Sequence, residues 1–191
     1  LADYSAGEQW GTQPQDSFAI MADTASFDPV AEFLAWQPET SNTASAKLKA
    51  IELYQALLAF HQDDADPSAL IDADLLRLKF GYNQALGSDK TDLYLAALER
   101  SVEQWADHEI AAQALHEWAR VLHGQGDSLQ AHALAHRGWD VYPASVGGIQ
   151  CYNLIQQIEA RSAEIQTERV WHEPLPDILL TYRNIKRVYF L

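Results

Sequence analysis

The sequence contains one cysteine and one methionine in 191 residues, and no apolar run approaches eighteen residues. A single cysteine cannot pair within the chain, which excludes a disulfide framework. The missing apolar run excludes a helical membrane span. Glycine (9) and proline (7) are too sparse for a collagen-like fibre. Cations are scarce as well: 13 Lys+Arg face 27 Asp+Glu, a formal charge of −14. Such a surface repels phosphate backbones and anionic lipid headgroups, so neither nucleic acid nor a membrane surface is an expected partner. Leu1-Ala2-Asp3 lacks the basic start and apolar stretch of a signal peptide. What is plentiful is apolar side chain, 48% of the residues. That excludes a wholly disordered chain and supplies a real core, with one domain the prior at this length.

The charge is uneven. From residue 165 onward Arg169, Arg183, Lys186 and Arg187 outnumber Glu168, Glu173 and Asp177, a net of +1, against −15 upstream. Three segments are expected: 1–44, an N-terminal segment with a short helix; 45–164, a helical domain; and 165–191, a short β segment.

In the first segment a polar stretch, Asp3 to Ser17, leads to Phe18-Ala19-Ile20-Met21, and Asp28-Pro29 opens a short helix to Trp36. In the second, Leu48, Ile51, Tyr54 and Leu58 recur at three- and four-residue steps, the spacing of one helix face. A polar break at 62–67 precedes a helix with Leu70, Ala73, Leu76 and Phe80 as its apolar stripe. Beyond the break at 87–90, Thr91 or Asp92 is the expected N-cap of a third long helix, Leu93 to Trp105. A fourth spans Ile110 to His123, a fifth Leu129 to Val141, and a sixth Val146 to Ile165.

Paired helices of this length with short turns suggest a repeat. Residues 112–145 fit the tetratricopeptide frame: Leu115, Trp118, Ala119 and Leu122 at first-helix packing positions, and Gly126-Asp127 in the turn. Ala131, Ala135 and Gly138 are the small residues of the second helix, and Pro143 closes the unit. A degenerate copy ends at Trp105-Ala106-Asp107-His108, thirty-seven residues before Tyr142-Pro143-Ala144-Ser145. Helix pairs of this kind bury their faces only by stacking.

After residue 165 the period changes to two. Ile165 to Trp171 alternates apolar and polar residues, Asp177 to Tyr182 is β-prone, Arg183-Asn184 marks a turn, and Val188 to Leu191 reads as a further strand, cut off mid-element. Two or three strands in 27 residues cannot close a core of their own.

Ile165-Gln166-Thr167-Glu168, Ile178-Leu179-Leu180-Thr181-Tyr182-Arg183-Asn184 and Val188-Tyr189-Phe190-Leu191 together resemble the opening strands of the first macroglobulin-type β-sandwich of large bacterial α2-macroglobulin-like proteins. Members of the Bacteroidetes type place a tetratricopeptide-like helical region just before it. Runs similar to theirs are Ile51 to Tyr54 through Phe60-His61, Ala69 to Leu78, Tyr94 to Glu99, and Tyr142 to Ser145 with Cys151. The resemblance covers roughly residues 45–191 and is collective. It implies the N-terminal part of a periplasmic, envelope or secreted protein that traps proteases, an endopeptidase inhibitor. The thioester that some members carry needs Cys-Gly-Glu-Gln; here Gly7-Glu8-Gln9 follows Ala6, so no thioester residue carries over.

The remaining constellations favour bland roles. His132 and His136 stand one helical turn apart, a spacing able to hold a metal. No Glu follows His132, so the zinc-protease motif fails, and two solvated histidines are expected; His116 and His123 would add ligands only if their faces converged. Asp63, Asp64, Asp66 and Asp72 miss the calcium-loop pattern, with Ala69 and Leu75 where Gly and Glu belong. Cys151 reads as a buried, inert thiol, and Gly-x-Ser-x-Gly is absent.

The expected fold is mainly α, with six to eight helices in tetratricopeptide-like hairpins (an α-solenoid) and a short C-terminal β segment. The expected function is a non-catalytic scaffold and interaction module of the protease trap; the rival is a free-standing tetratricopeptide adaptor for a peptide or protein. No enzyme activity, cofactor or metal is expected. Partners are proteins: the rest of the parent chain, an envelope protein, and proteases through the parent. A strand-mediated dimer is a further expectation. Trp10, Trp36, Tyr182 and Arg183 are the candidate partner-contact residues.

Overall fold

The computed structural model describes residues 18–22, 24–167 and 178–189. Among them are seven α-helices: α1 (Val30–Ala35), α2 (Ala46–His61), α3 (Ser68–Gln84), α4 (Lys90–Gln104), α5 (Ala111–Gly124), α6 (Ser128–Val141) and α7 (Val146–Glu159). The described residues also form a two-stranded antiparallel sheet, β1 (Ser162–Gln166) with β2 (Leu179–Arg183). The chain is thus mainly helical, in hairpins, with a short β segment. It divides into two compact units, Leu1–Trp105 and Ala106–Leu191.

In the first unit each helix packs on the next in order, α1 to α4. Ser45 caps α2, its Oγ accepting from the Leu48 N–H at 3.2 Å. Leu48, Ile51 and Leu58 on α2 are buried as their spacing predicts, and Tyr54 meets the Phe80 ring at 5.6 Å. The stripe expected on α3 is corrected. Ile71, Ala73, Leu75, Leu78 and Gly81 are buried, whereas Leu76 is 48% exposed. The helix is covered by α2, by α4 and by the 3-10 turn Ala25–Phe27, so no single stripe describes its buried surface. The cap expected at Thr91 or Asp92 is corrected as well: α4 begins at Lys90 after Asp89, with no side-chain cap bond, so both residues lie inside its first turn. On α4, Tyr94 stacks on Tyr82 at 4.5 Å and meets Phe27 at 6.2 Å.

The described part of segment 1–44 belongs to this core. Phe18, Ile20, Ala22, Phe27 and Phe33 are all buried. The Ala22 N–H donates to Leu86 O at 2.9 Å and the Leu86 N–H to Ile20 O at 2.8 Å, so the segment is stitched to the chain beyond α3.

In the second unit α5, α6 and α7 all touch one another. Gly126 turns the α5–α6 hairpin with φ +92°, a conformation that side-chain-bearing residues rarely adopt, and Asp127 caps α6 by accepting from the Gln130 N–H at 3.1 Å. Ala131, Ala135 and Gly138 are buried along α6, as the repeat frame predicts. So are Leu115 and Ala119 on α5. Ser145 caps α7, accepting from the Gly148 N–H at 3.0 Å.

The expected sixth helix is shorter than its periodicity suggests, ending at Glu159 rather than Ile165. Ala160 turns extended, and Ser162 already pairs with Arg183. Strand β1 therefore starts three residues before the expected Ile165 and stops at Gln166, where its register with Leu179 ends. The remainder of the expected Ile165–Trp171 strand beyond Thr167 lies outside the described residues. Val188 and Tyr189 lie in no strand, and Phe190 and Leu191 are outside the described residues.

Candidate functional site

The second unit carries an open groove of about 610 Å³ where its helices meet the β segment. His123 and Ser128 flank the α5–α6 turn on one side, with Leu129 and His132 on α6. Ile158, Glu159 and Arg161 come from the end of α7, and Arg183 and Asn184 from the end of β2. The geometry follows from helix ends. The last carbonyls of α7 have no partner within the helix. Asn184 supplies one: its Nδ2 donates to Ile158 O at 2.7 Å and to Ala160 O at 3.1 Å. Asn184 has φ +56°, in the left-handed region that asparagine tolerates better than most residues, and this turns its amide back onto the helix.

On the α6 side, His132 Nε2 donates to Glu159 Oε1 at 2.8 Å. His136, one turn along, places its ring 4.5 Å from that of His132, at 61°. One ligand atom from each of His132, His136 and Glu159 lies within 4.8 Å of the other two. His123 Nδ1 instead hydrogen-bonds Ser128 Oγ at 3.0 Å, and His116 is not part of the cluster. Sequence spacing pairs the two histidines on α6 but gives no sign of Glu159, which arrives only through the α6–α7 packing.

The candidate contact residues fall in different surroundings. Trp10 lies outside the described residues. Trp36 is half-buried at the end of α1, its ring 6.1 Å from Phe33, and Gln55 Nε2 donates to its carbonyl at 2.7 Å. Arg183 lines the groove, while Tyr182, 61% exposed, points to the opposite face of the sheet. Two other tryptophans pack: Trp139 meets Tyr152 at 4.7 Å, and Trp118 is half-buried on α5.

The first unit hides a feature that the sequence reading missed. Arg77 is 1% exposed. It donates from Nη1 to Ser26 O and Asp28 O, both at 3.0 Å, and from Nε to Asp74 at 2.9 Å, with its Cζ 4.6 Å above the Phe33 ring. Arg100 Nη2 donates to Phe27 O at 2.6 Å. Three successive carbonyls are thereby held by two guanidinium groups. Burial lowers the Arg77 pKa, and the Asp74 carboxylate works against that shift. An arginine amid apolar residues of a helix was the available signal. Beside it a cleft of about 80 Å³ is lined by Pro29, Leu70, Asp74, Arg100 and Trp105.

Cys151 is buried, and burial pushes its thiol up to about 12. Its Sγ donates to Ala112 O at 3.5 Å. A thiol so rarely ionised is a poor nucleophile, in keeping with the inert role expected of it. Asp66 accepts from the Ser68 N–H at 2.9 Å and Asp64 from His61 Nδ1 at 2.7 Å, both on an exposed turn, while Asp72 is exposed on α3. Compared with protein-family models, curated proteins and solved structures, the chain gives no match.

Proposed function

We propose that the chain is a non-catalytic scaffold and interaction module, the N-terminal helical region of a bacterial α2-macroglobulin-like protease-trapping protein that is periplasmic, envelope-bound or secreted. Its helices lead into the first macroglobulin-type β-sandwich. The observation that carries this reading is the two-faced β1–β2 ribbon. Its register puts Ala163 opposite Tyr182 and Ile165 opposite Leu180, so one face is apolar, while Ser162, Glu164, Thr181 and Arg183 make the other mostly polar. Yet Ile165 and Tyr182 are exposed. Apolar-in, polar-out alternation belongs to a sheet with a second layer against it. Two strands alone are marginal in water. The missing layer is, on this reading, the further strands of the sandwich. The tie that Asn184 makes from the end of β2 to the end of α7 supports a helical unit that buttresses that sandwich.

A free-standing adaptor is the second reading. The open strand edges favour it, because they offer backbone groups to a partner's strand. The acidic surface would then select a basic partner. The source gene separates the two. Repeated β-sandwich domains encoded in frame after Leu191 are expected of a protease trap. A stop codon directly after Leu191 overturns that proposal in favour of the adaptor.

A further inference from the structure

We propose that His132, His136 and Glu159 form a binding site for one divalent transition-metal ion, of the zinc class. The site is independent of the scaffold proposal. Its two imidazoles share one face of α6 because residues four apart are neighbours on a helix. The third donor is the last residue of α7, carried to His132 by the close packing of the two helices. The donor set selects the ion. Calcium and magnesium take oxygen ligands, whereas imidazole with a carboxylate suits zinc, copper, nickel and cobalt.

The distances suit capture after a small adjustment. A tetrahedral zinc ion with bonds of about 2.0–2.1 Å needs donor atoms about 3.3 Å apart. Here the His132–Glu159 pair stands at 2.8 Å, and no pair of the three exceeds 4.8 Å. Side-chain rotations close that gap, since the Glu159 side chain is 53% exposed and that of His132 34%. Without an ion, the His132 Nε2–H donates a hydrogen bond to Glu159; with one, both present lone pairs to the metal.

Three protein donors leave a fourth position. His132 and Glu159 line the groove, as do Arg161 and Arg183. The positive charge of the arginines favours an anionic co-ligand, a carboxylate or an oxyanion, in that groove. A bound ion would clamp α6 to the end of α7, beside the point where Asn184 holds β2.

The test is calorimetric titration of the tag-free, chelator-treated chain with Zn²⁺, with Co²⁺ absorption reporting geometry. Saturable binding of one equivalent is expected, with the d–d bands of a four-coordinate ion. His132→Gln, His136→Gln and Glu159→Gln should each weaken binding at least about tenfold. His61→Gln, at a histidine of the other unit, should bind as the parent does. Circular dichroism of each variant checks that the helices persist. Absence of a saturable first equivalent overturns the site, as does unaltered binding by the three folded variants.

Discussion

Gly138 on α6 stands so close to Cys151 on α7 that a Cβ at position 138 would lie 2.6 Å from Sγ. The same Cβ would meet Leu115 Cβ at 3.5 Å and Cys151 Cβ at 3.6 Å, both ordinary contacts. The sulfur alone forbids the side chain. Gly138→Ala should destabilise the chain by about 1–3 kcal/mol through overpacking. In a Cys151→Ala background the same change should be neutral or stabilising, because alanine is the better helix former by about 1 kcal/mol. Denaturant unfolding of the two singles and the double gives the coupling; additive effects would contradict the contact.

That contact also marks how far sequence reaches. The small residues Ala131, Ala135 and Gly138 were legible because a repeat frame demands a close helix pair. The α3 face and the end of α7 were not. Periodicity describes a helix buried on one side, and α3 has neighbours on several. The end of α7 is set by Ser162 pairing with Arg183 and by Asn184, twenty-four residues beyond Ala160. Glu159 escaped for the same reason: its partner His132 is twenty-seven positions away.

Arg77 holds the 3-10 turn to α3 from inside the core. Arg77→Ala strands Asp74 and the carbonyls of Ser26 and Asp28, and should cost about 3–5 kcal/mol. Arg77→Lys should recover only part of that, since an ammonium cannot reproduce the forked donation. Urea unfolding midpoints with unchanged slopes are the check; a lysine variant as stable as the parent would argue against the fork.

Cys151 gives a pH signature. Its pKa is raised from an ordinary value of 9.0 to about 12 on folding, so between those values the unfolded chain loses a proton that the folded chain keeps. Stability therefore falls as pH rises above 9, by about tenfold in the folding constant per pH unit from this group. The parent minus Cys151→Ala difference isolates it from the tyrosines and lysines that titrate nearby. Thiol reagents at pH 8 should label the native chain slowly and the urea-unfolded chain at once. Rapid native labelling would place the sulfur in solvent.

Exposed apolar side chains on a ribbon with open edges favour self-pairing. Light scattering of this chain should show concentration-dependent association. Ile165→Lys with Tyr182→Lys should abolish it and leave helicity unchanged. A parent that stays monomeric at all concentrations would remove the dimer.

The scaffold proposal rests on a ribbon whose apolar face is covered by further strands. Hydrogen exchange of β1 and β2, measured on dilute 1–191 chain and on the full product of the source gene, tests this most directly. The account predicts rapid exchange in the shorter chain and, in the longer one, exchange slowed to the rates of α5 to α7. Equal protection of the strands in both would mean that no second layer meets this face, and would contradict it.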